Sequence, residues 1–138
     1  MRITTWNINS VRLRIGLALK LLDQSKPDVL CLQETKCPDE QFPFEAFRNI
    51  GYKYIAVNGM KAYNGVALIS RVPFESELAL DWTERSDCRH ISAVFPGDIE
   101  IHNFYVPAGG DEPDIGRNDK FAHKLDFMSE MTDWFSSN

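Results

Sequence analysis

Two short polar clusters close two apolar runs near the start of the chain, and their residue types suit phosphate chemistry. The first run, Arg2-Ile3-Thr4-Thr5, leads into Trp6-Asn7-Ile8-Asn9-Ser10. The second, Asp28-Val29-Leu30-Cys31, leads into Leu32-Gln33-Glu34-Thr35-Lys36. Glu34 is a lone carboxylate with amides beside it and Lys36 two residues on. Such a set suits a hard divalent cation and a phosphate. To act together, these side chains need strand tips brought side by side. Between the runs, residues 11–24 place Val11, Ile15, Ala18, Leu19 and Leu22 at helical spacing, with Ser10 as the expected cap. A strand, a helix and a second strand make a crossover. That puts both tips at one edge of the sheet, where ligands bind in α/β layers.

The rest of the chain supplies further elements around this pair. Pro27 stops the first helix, because proline cannot continue one. Residues 28–33 are apolar without alternation, as in a strand buried on both faces. Residues 37–51 form a proline- and aromatic-bearing connection with a helical turn near 44–49. Strands are expected over 52–57 and 66–70, with an edge strand over 75–80. Asn58-Gly59 and Asn64-Gly65 are turn signals on either side of Lys61. Residues 90–95 and 98–105 flank Pro96-Gly97 and read as a hairpin. Residues 106–118 are rich in Pro, Gly and Asp, a long loop of the functional kind. Residues 120–135 read as a closing helix.

Bulk properties narrow the classes. With 138 residues, of which 43% are hydrophobic, the chain is one domain's worth and can bury a core. No stretch approaches the roughly 20 apolar residues of a membrane span, so no membrane partner is expected. Asn7, Asn9, Arg12 and Arg14 interrupt any signal-peptide core, which gives a cytoplasmic expectation. Cys31, Cys37 and Cys88 have no zinc-like spacing, and Cys31 reads as a small core hydrophobe. The net charge of −5 argues against a uniformly basic nucleic-acid binder. It leaves room for a local basic rim. Arg12, Arg14, Lys36, Lys61, Arg89, Lys120 and Lys124 lie near the motifs, while Glu75, Glu77, Asp81, Glu84 and Asp87 lie apart from them.

The opening motifs resemble those of the exodeoxyribonuclease III class of apurinic/apyrimidinic endonucleases, within the endonuclease/exonuclease/phosphatase superfamily. Later segments extend the likeness in order: Lys61-Ala62-Tyr63-Asn64-Gly65-Val66-Ala67, Arg89-His90-Ile91-Ser92-Ala93, Tyr105-Val106-Pro107-Ala108-Gly109-Gly110 and Lys120-Phe121-Ala122-His123-Lys124-Leu125. The resemblance implies a metal-dependent phosphodiester hydrolase using Mg²⁺, with Mn²⁺ as a substitute. It would act on duplex DNA at abasic sites and 3′ ends. It implies Glu34 and Asn7 at the metal, and Tyr105 and Asn7 as catalytic groups near the scissile phosphate. Asn9, on the face of Asn7 by the period of two, is expected to support it. Lys36, Lys61, Asn64, Arg89 and Lys120 are implied contacts to DNA, which carry affinity rather than sequence information. His90 and His102 read as structural strand residues. His123, beside Lys124, would at most meet phosphate.

The resemblance also implies what is missing. In the family an Asp-x-Asn segment orients the water, and a Ser-Asp-His segment supplies a further aspartate and the imidazole. Neither occurs in these 138 residues. The expected fold is therefore α/β, half of a four-layer α/β sandwich. It would comprise one mixed β-sheet with flanking helices over residues 1–138, the C-terminal half being absent. Glu34, Asn7 and Tyr105 are expected at one edge of that single sheet. Its inner face is expected to lie exposed and to favour self-association, while other protein partners are left open. The expected function is a DNA repair nuclease whose N-terminal part is inactive alone. Two alternatives are a superfamily phosphatase or phosphodiesterase on a lipid or inositol phosphate, and a catalytically dead module that binds nucleic acid or a partner.

Overall fold

The run Val29-Leu30-Cys31-Leu32 has no polar face, and the fold buries it on both sides. The computed structural model describes residues 1–138. Met1–Leu80 with Asp87–Tyr105 forms one compact unit, and Asp81–Ser86 with Val106–Asn138 forms another. In the first unit, strand β1 (Ile3–Asn7) runs through helix α1 (Ile15–Ser25) to strand β2 (Val29–Gln33). Helix α2 (Phe44–Arg48), strand β3 (Tyr54–Asn58) and strand β4 (Val66–Ser70) follow. These strands make a mixed sheet in the order β1-β2-β4-β3, with β1 parallel to β2 and the other pairs antiparallel. Strands β5 (Ser76–Leu78), β6 (His90–Phe95) and β7 (Ile99–Phe104) make a second, antiparallel sheet.

The α/β class holds, but the strands divide between two sheets rather than forming one. The cause is the alternation on β6 and β7. Ile91, Ala93, Phe95 and Ile101 lie on one face and close over Val29, Cys31, Ala56, Val66 and Leu68 of the first sheet. The inner face expected to lie bare is therefore largely covered. What stays exposed is the edge strand, at Ile3, Thr5 and Asn7. On the other side of the first sheet, Leu30, Leu32, Ala67 and Ile69 pack with Ala18, Leu22, Phe47 and Tyr52. Each fully buried aliphatic side chain of this kind contributes about 1.5–3 kcal/mol. Cys31 sits inside the sheet-on-sheet layer, where burial pushes its thiol up to about 12.

Helix α1 begins four residues later than its spacing predicts. Beyond Asn7 the chain keeps hydrogen-bonding along β2: the N–H groups of Ile8, Ser10 and Val11 donate to the carbonyls of Gln33, Glu34 and Thr35. Ser10 takes a φ of 85° there, so it caps a turn instead of the helix. Its Oγ accepts from Leu13 N–H at 3.3 Å and its carbonyl accepts from Arg14 N–H at 3.2 Å. At its other end α1 closes on Lys26, a left-handed C-cap.

In the second unit, helix α3 (Asp119–Ser137) starts at Asn118, whose side chain accepts from the N–H groups of Lys120 and Phe121. The same amide donates to the carbonyls of Gly109 and Glu112, tying the irregular segment 106–118 to the helix start. The Trp82 ring lies 5.9 Å from Phe127 and 6.3 Å from Trp134. No helix is long and apolar enough to cross a membrane.

Candidate metal and phosphate site

The site grows out of the strand tips of the first sheet. Asn7 and Gln33 are partners in the parallel register, so Glu34 is the first residue past the tip of β2. Beyond the ladder the tips stay fastened. Thr35 N–H donates to Gly65 O at 3.2 Å and Lys36 N–H to Asn64 O at 2.9 Å. Gly65 N–H in turn donates to Cys88 O. Gly65 has a φ of +90°, and a Cβ there would lie 2.1 Å from Thr35 Oγ1, so only glycine fits. Asn9, Ser10, Glu34, Lys36, Ala62, Asn64 and Cys88 all hold positive φ without being glycine. Strain of this kind collects where side chains are aimed for function.

Glu34 presents its carboxylate beside Lys36, with Nζ to Oε1 at 3.6 Å, and its side chain is 22% exposed. Lys36 Nζ also donates to Asn9 Oδ1 at 2.6 Å. Asn9 does not extend β1: the strand ends at Asn7, and Asn9 sits in a left-handed turn at φ 48°. Its amide therefore holds Lys36, and through it Glu34, instead of standing behind Asn7. Asn7 is exposed and shares the face of Thr5 and Gln33, the face turned toward the second sheet.

Tyr105 arrives from the second sheet, so the expected convergence at one edge of a single sheet becomes a convergence of two sheets. Its N–H donates to Arg89 O at 2.8 Å, extending the β6–β7 pairing by one residue. The Arg89 guanidinium lies 4.9 Å from the Tyr105 ring centroid and donates to Tyr105 O at 3.2 Å. Arg89 Nε donates to Asp87 Oδ2 at 2.6 Å. Burial raises the Tyr105 phenol above its ordinary value; the Glu34 charge adds to this and Arg89 opposes it. Glu34 is thus one of the charges that act on the phenol.

The residues implied as DNA contacts fall into distinct settings. Lys61 is exposed in the 59–65 turn, beside the exposed Tyr63. Asn64 Nδ2 donates to Asp87 O at 2.8 Å, which fixes the turn. Arg89 is occupied with Asp87 and Tyr105, and Lys36 with Glu34 and Asn9. Lys120 belongs to the second unit, in the first turn of α3. The sequence set Asp87 among the acids apart from the motifs, yet it pairs with Arg89 and accepts from Asn64, and Asn103 drew no role at all. Asn103 is 3% exposed. It donates to the carbonyls of Leu32 and Ala67, both at 2.9 Å, and accepts from Gln33 Nε2 at 2.7 Å. The signal was present: Asn103 lies two residues beyond the buried Ile101, on the same strand face.

No group of three or more His, Cys, Asp and Glu side chains gathers as a metal cluster. Glu34 with the Asn7 amide still fits Mg²⁺. That ion takes oxygen donors, keeps several waters and is commonly held by one or two carboxylates. His90 is fully buried and holds a different post: Nδ1 accepts from Leu80 N–H at 3.1 Å, and Nε2 lies 2.9 Å from His102 Nδ1. Burial, with His102 adding to it, lowers His90 to about 4. It stays neutral in a structural chain of hydrogen bonds.

Comparisons with known proteins identify the family of this chain. Exodeoxyribonuclease III of Haemophilus influenzae is 38% identical over 140 residues, covering 95% of this chain and 49% of its own. DNA repair nuclease APEX1 of Danio rerio is 33% identical over 113 residues, covering 78% of this chain and 36% of its own. The structure of an AP endonuclease from Archaeoglobus fulgidus superposes with a TM-score of 0.83 at 35% identity, covering 95% of this chain and 49% of that one. The 3′ phosphatase NExo from Neisseria, bound to product DNA hairpin, gives 0.83 at 32%, covering 96% and 50%. The chain thus spans about half the length, or less, of the curated relatives it matches. The signature of the endonuclease/exonuclease/phosphatase family matches residues 4–136, and the chain belongs to that family.

Proposed function

We propose that this chain carries the metal- and phosphate-binding part of a DNA repair phosphodiesterase resembling exodeoxyribonuclease III. The substrate class is duplex DNA, at abasic sites and at 3′ ends. One observation carries the reading: Asn7 and Gln33 are parallel register partners, which sets Glu34 just past the exposed Asn7 tip, while Tyr105, whose phenol feels the Glu34 charge, comes from the second sheet. Glu34 and Asn7 would hold Mg²⁺, or Mn²⁺ in its place, and the ion would supply charge neutralisation at the phosphate. Tyr105 would direct its hydroxyl at a phosphate oxygen. A phenol is protonated at neutral pH, and burial and Glu34 push it further that way, so it donates. Arg89 holds the ring from one face, and Lys61 faces solvent where a DNA backbone could pass.

These 138 residues are proposed to be inactive by themselves. The family's water-orienting Asp-x-Asn and its Ser-Asp-His do not occur in them. Positioned acid–base groups are typically worth ~10²–10⁴-fold each. Two assays test the reading. When the chain is joined to the second half of a relative, Mg²⁺-dependent incision of abasic-site duplex is expected. Glu34→Ala should cut it on the order of 10²-fold or more. The chain alone should incise no faster than its own Glu34→Ala variant. Hydrolysis of a phosphoinositide in preference to DNA would overturn the substrate class. Mg²⁺-dependent incision unaffected by Glu34→Ala would overturn the metal assignment.

A further inference from the structure

Two residues of the site sit on different sheets, yet something must set the distance between them. Packing of Val29, Leu68, Ile91 and Phe95 holds the sheets together, but aliphatic contacts slide at small cost. Polar links cross the same gap at two places: Asn58 Nδ2 on β3 donates to His90 O on β6 at 2.9 Å, and a larger cluster centres on Asn103. Asn103 Nδ2 gives both hydrogens to the first sheet, to Leu32 O on β2 and Ala67 O on β4, each at 2.9 Å. Leu32 and Ala67 are register partners, so the amide straddles that pair. Asn103 Oδ1 accepts from Gln33 Nε2 at 2.7 Å, and the same Nε2 donates to Thr5 Oγ1 on β1 at 2.9 Å. One amide on β7 is thus fastened directly or through Gln33 to three strands of the other sheet. Such geometry is directional, and buried amides left unpaired are costly.

The placement of this cluster along the chain is what gives it a consequence. Gln33 immediately precedes Glu34, and Asn103 stands two residues before Tyr105. We propose that Asn103, with Gln33, is a positioning residue that fixes the Tyr105 phenol relative to the Glu34 carboxylate. The inference rests on the reading of those two groups as one site. It adds the device that registers one sheet against the other at that site. A purely structural asparagine would stabilise the fold equally well anywhere along the layer. This one is placed beside both functional strand tips. The electrostatic influence of Glu34 on Tyr105 is the expected product of that fixed distance.

The test reads the coupling between the two groups. The chain is labelled with ¹³Cζ-tyrosine, and Tyr105→Phe assigns its signal among the four tyrosines. At pH 7.5, Glu34→Gln should move the Tyr105 Cζ resonance in the parent. In an Asn103→Leu background the same substitution should leave it unmoved, even where the melting temperature shows a folded protein. If Asn103→Leu does not fold, Gln33→Met replaces it. Gln33 is only half-buried, and that change removes the Gln33 link while sparing the Asn103 bonds to Leu32 and Ala67. It should shrink the response. Asn103→Thr, which keeps one donor, should restore part of it. An undiminished response in Asn103→Leu, or in Gln33→Met where it takes its place, with only stability lowered, would overturn the proposal. A separate Mg²⁺ titration, followed at the same resonance with Glu34→Gln as control, tests the metal reading. No Mg²⁺ response with the coupling intact would sink the metal and leave the positioning role standing.

Discussion

The two ends of the first sheet are built on opposite principles. At the far end, where β1 and β2 begin, the polar groups around Asp28 are paired with one another. Asp28 accepts from Arg2 N–H at 2.6 Å and from Arg71 Nε and Nη2 at 3.0 and 2.8 Å. Its carbonyl takes Arg71 N–H, and Tyr52 Oη donates to Pro27 O. At the tip end, the backbone is fastened as firmly, but through left-handed turns that leave Glu34 and Asn7 turned outward. The far end uses side chains to secure the backbone. The tip end uses the backbone to free side chains. That inversion is the physical difference between a stabilising cluster and a site.

The contrast breaks most severely at Gly65, which holds the tip end together. Gly65→Ala would drive a Cβ to 2.1 Å from Thr35 Oγ1 at a φ of +90°, with Thr35 itself buried. The expected cost is about 2–4 kcal/mol in urea unfolding. Gly97→Ala is the control: φ is +84° but nothing lies within 4 Å of the new Cβ. It should cost only about 1 kcal/mol, the price of a left-handed residue alone. Equal costs would mean that the contact with Thr35 yields easily and the tip is softer than its hydrogen bonds suggest.

Acid should separate the ends next. His90 begins β6 at the tip end, where Asn58 Nδ2 donates to its carbonyl. Its folded value of about 4 lies below the ordinary 6.5, so the unfolded chain binds the extra proton first. Stability is fully present above pH 6.5, falls between about 6.5 and 4, and levels below that. The shift corresponds to on the order of 3 kcal/mol. The His90 ring signals should titrate below pH 5, and His90→Gln should flatten the pH dependence over this window. A His90 titrating near 6.5 would remove the tip end's acid sensitivity.

How much of this was legible depends on the kind of interaction. Apolar runs and turn chemistry placed β2, β4 and the β6–β7 hairpin, because burial and Pro-Gly geometry are local signals. The split into two sheets was not legible, since it depends on which apolar row covers which. Nor was the course of Asn9, where hydrogen bonds to the β2 extension override the strand period. Glu34 stood out as a lone carboxylate among amides at a strand tip, whereas the roles of Asn7 and Tyr105 came from likeness to a family. Arg89 was marked as a DNA contact by the resemblance; its ion pair with Asp87, two residues before it, is visible only in the fold. Asn103 hid for a different reason: a neutral amide in a strand attracts no attention until alternation points it inward.

The smallest effects offer the sharpest comparison, because they replace one carboxylate at each end by its amide. Asp28→Asn removes a charge that Arg2 N–H and Arg71 both hold, so the midpoint of unfolding at pH 7 should fall. Those partners keep the Asp28 carboxyl below its ordinary 3.8, Arg2 N–H foremost. A lowered carboxyl contributes stability that is present above 3.8 and lost as pH falls through the folded value. The deficit of Asp28→Asn should accordingly shrink as pH drops below 3.8. Glu34→Gln should behave differently. Its one ion pair, to Lys36 at 3.6 Å, is long and partly exposed, and Lys36 has Asn9 Oδ1 at 2.6 Å as a second partner. Stability should move by no more than about 0.5 kcal/mol in either direction. A carboxylate that can be neutralised without cost to the fold is free to serve a cation instead. If Glu34→Gln were to destabilise the chain more than Asp28→Asn does, Glu34 would be a structural group, and the division of labour between the two ends would fail.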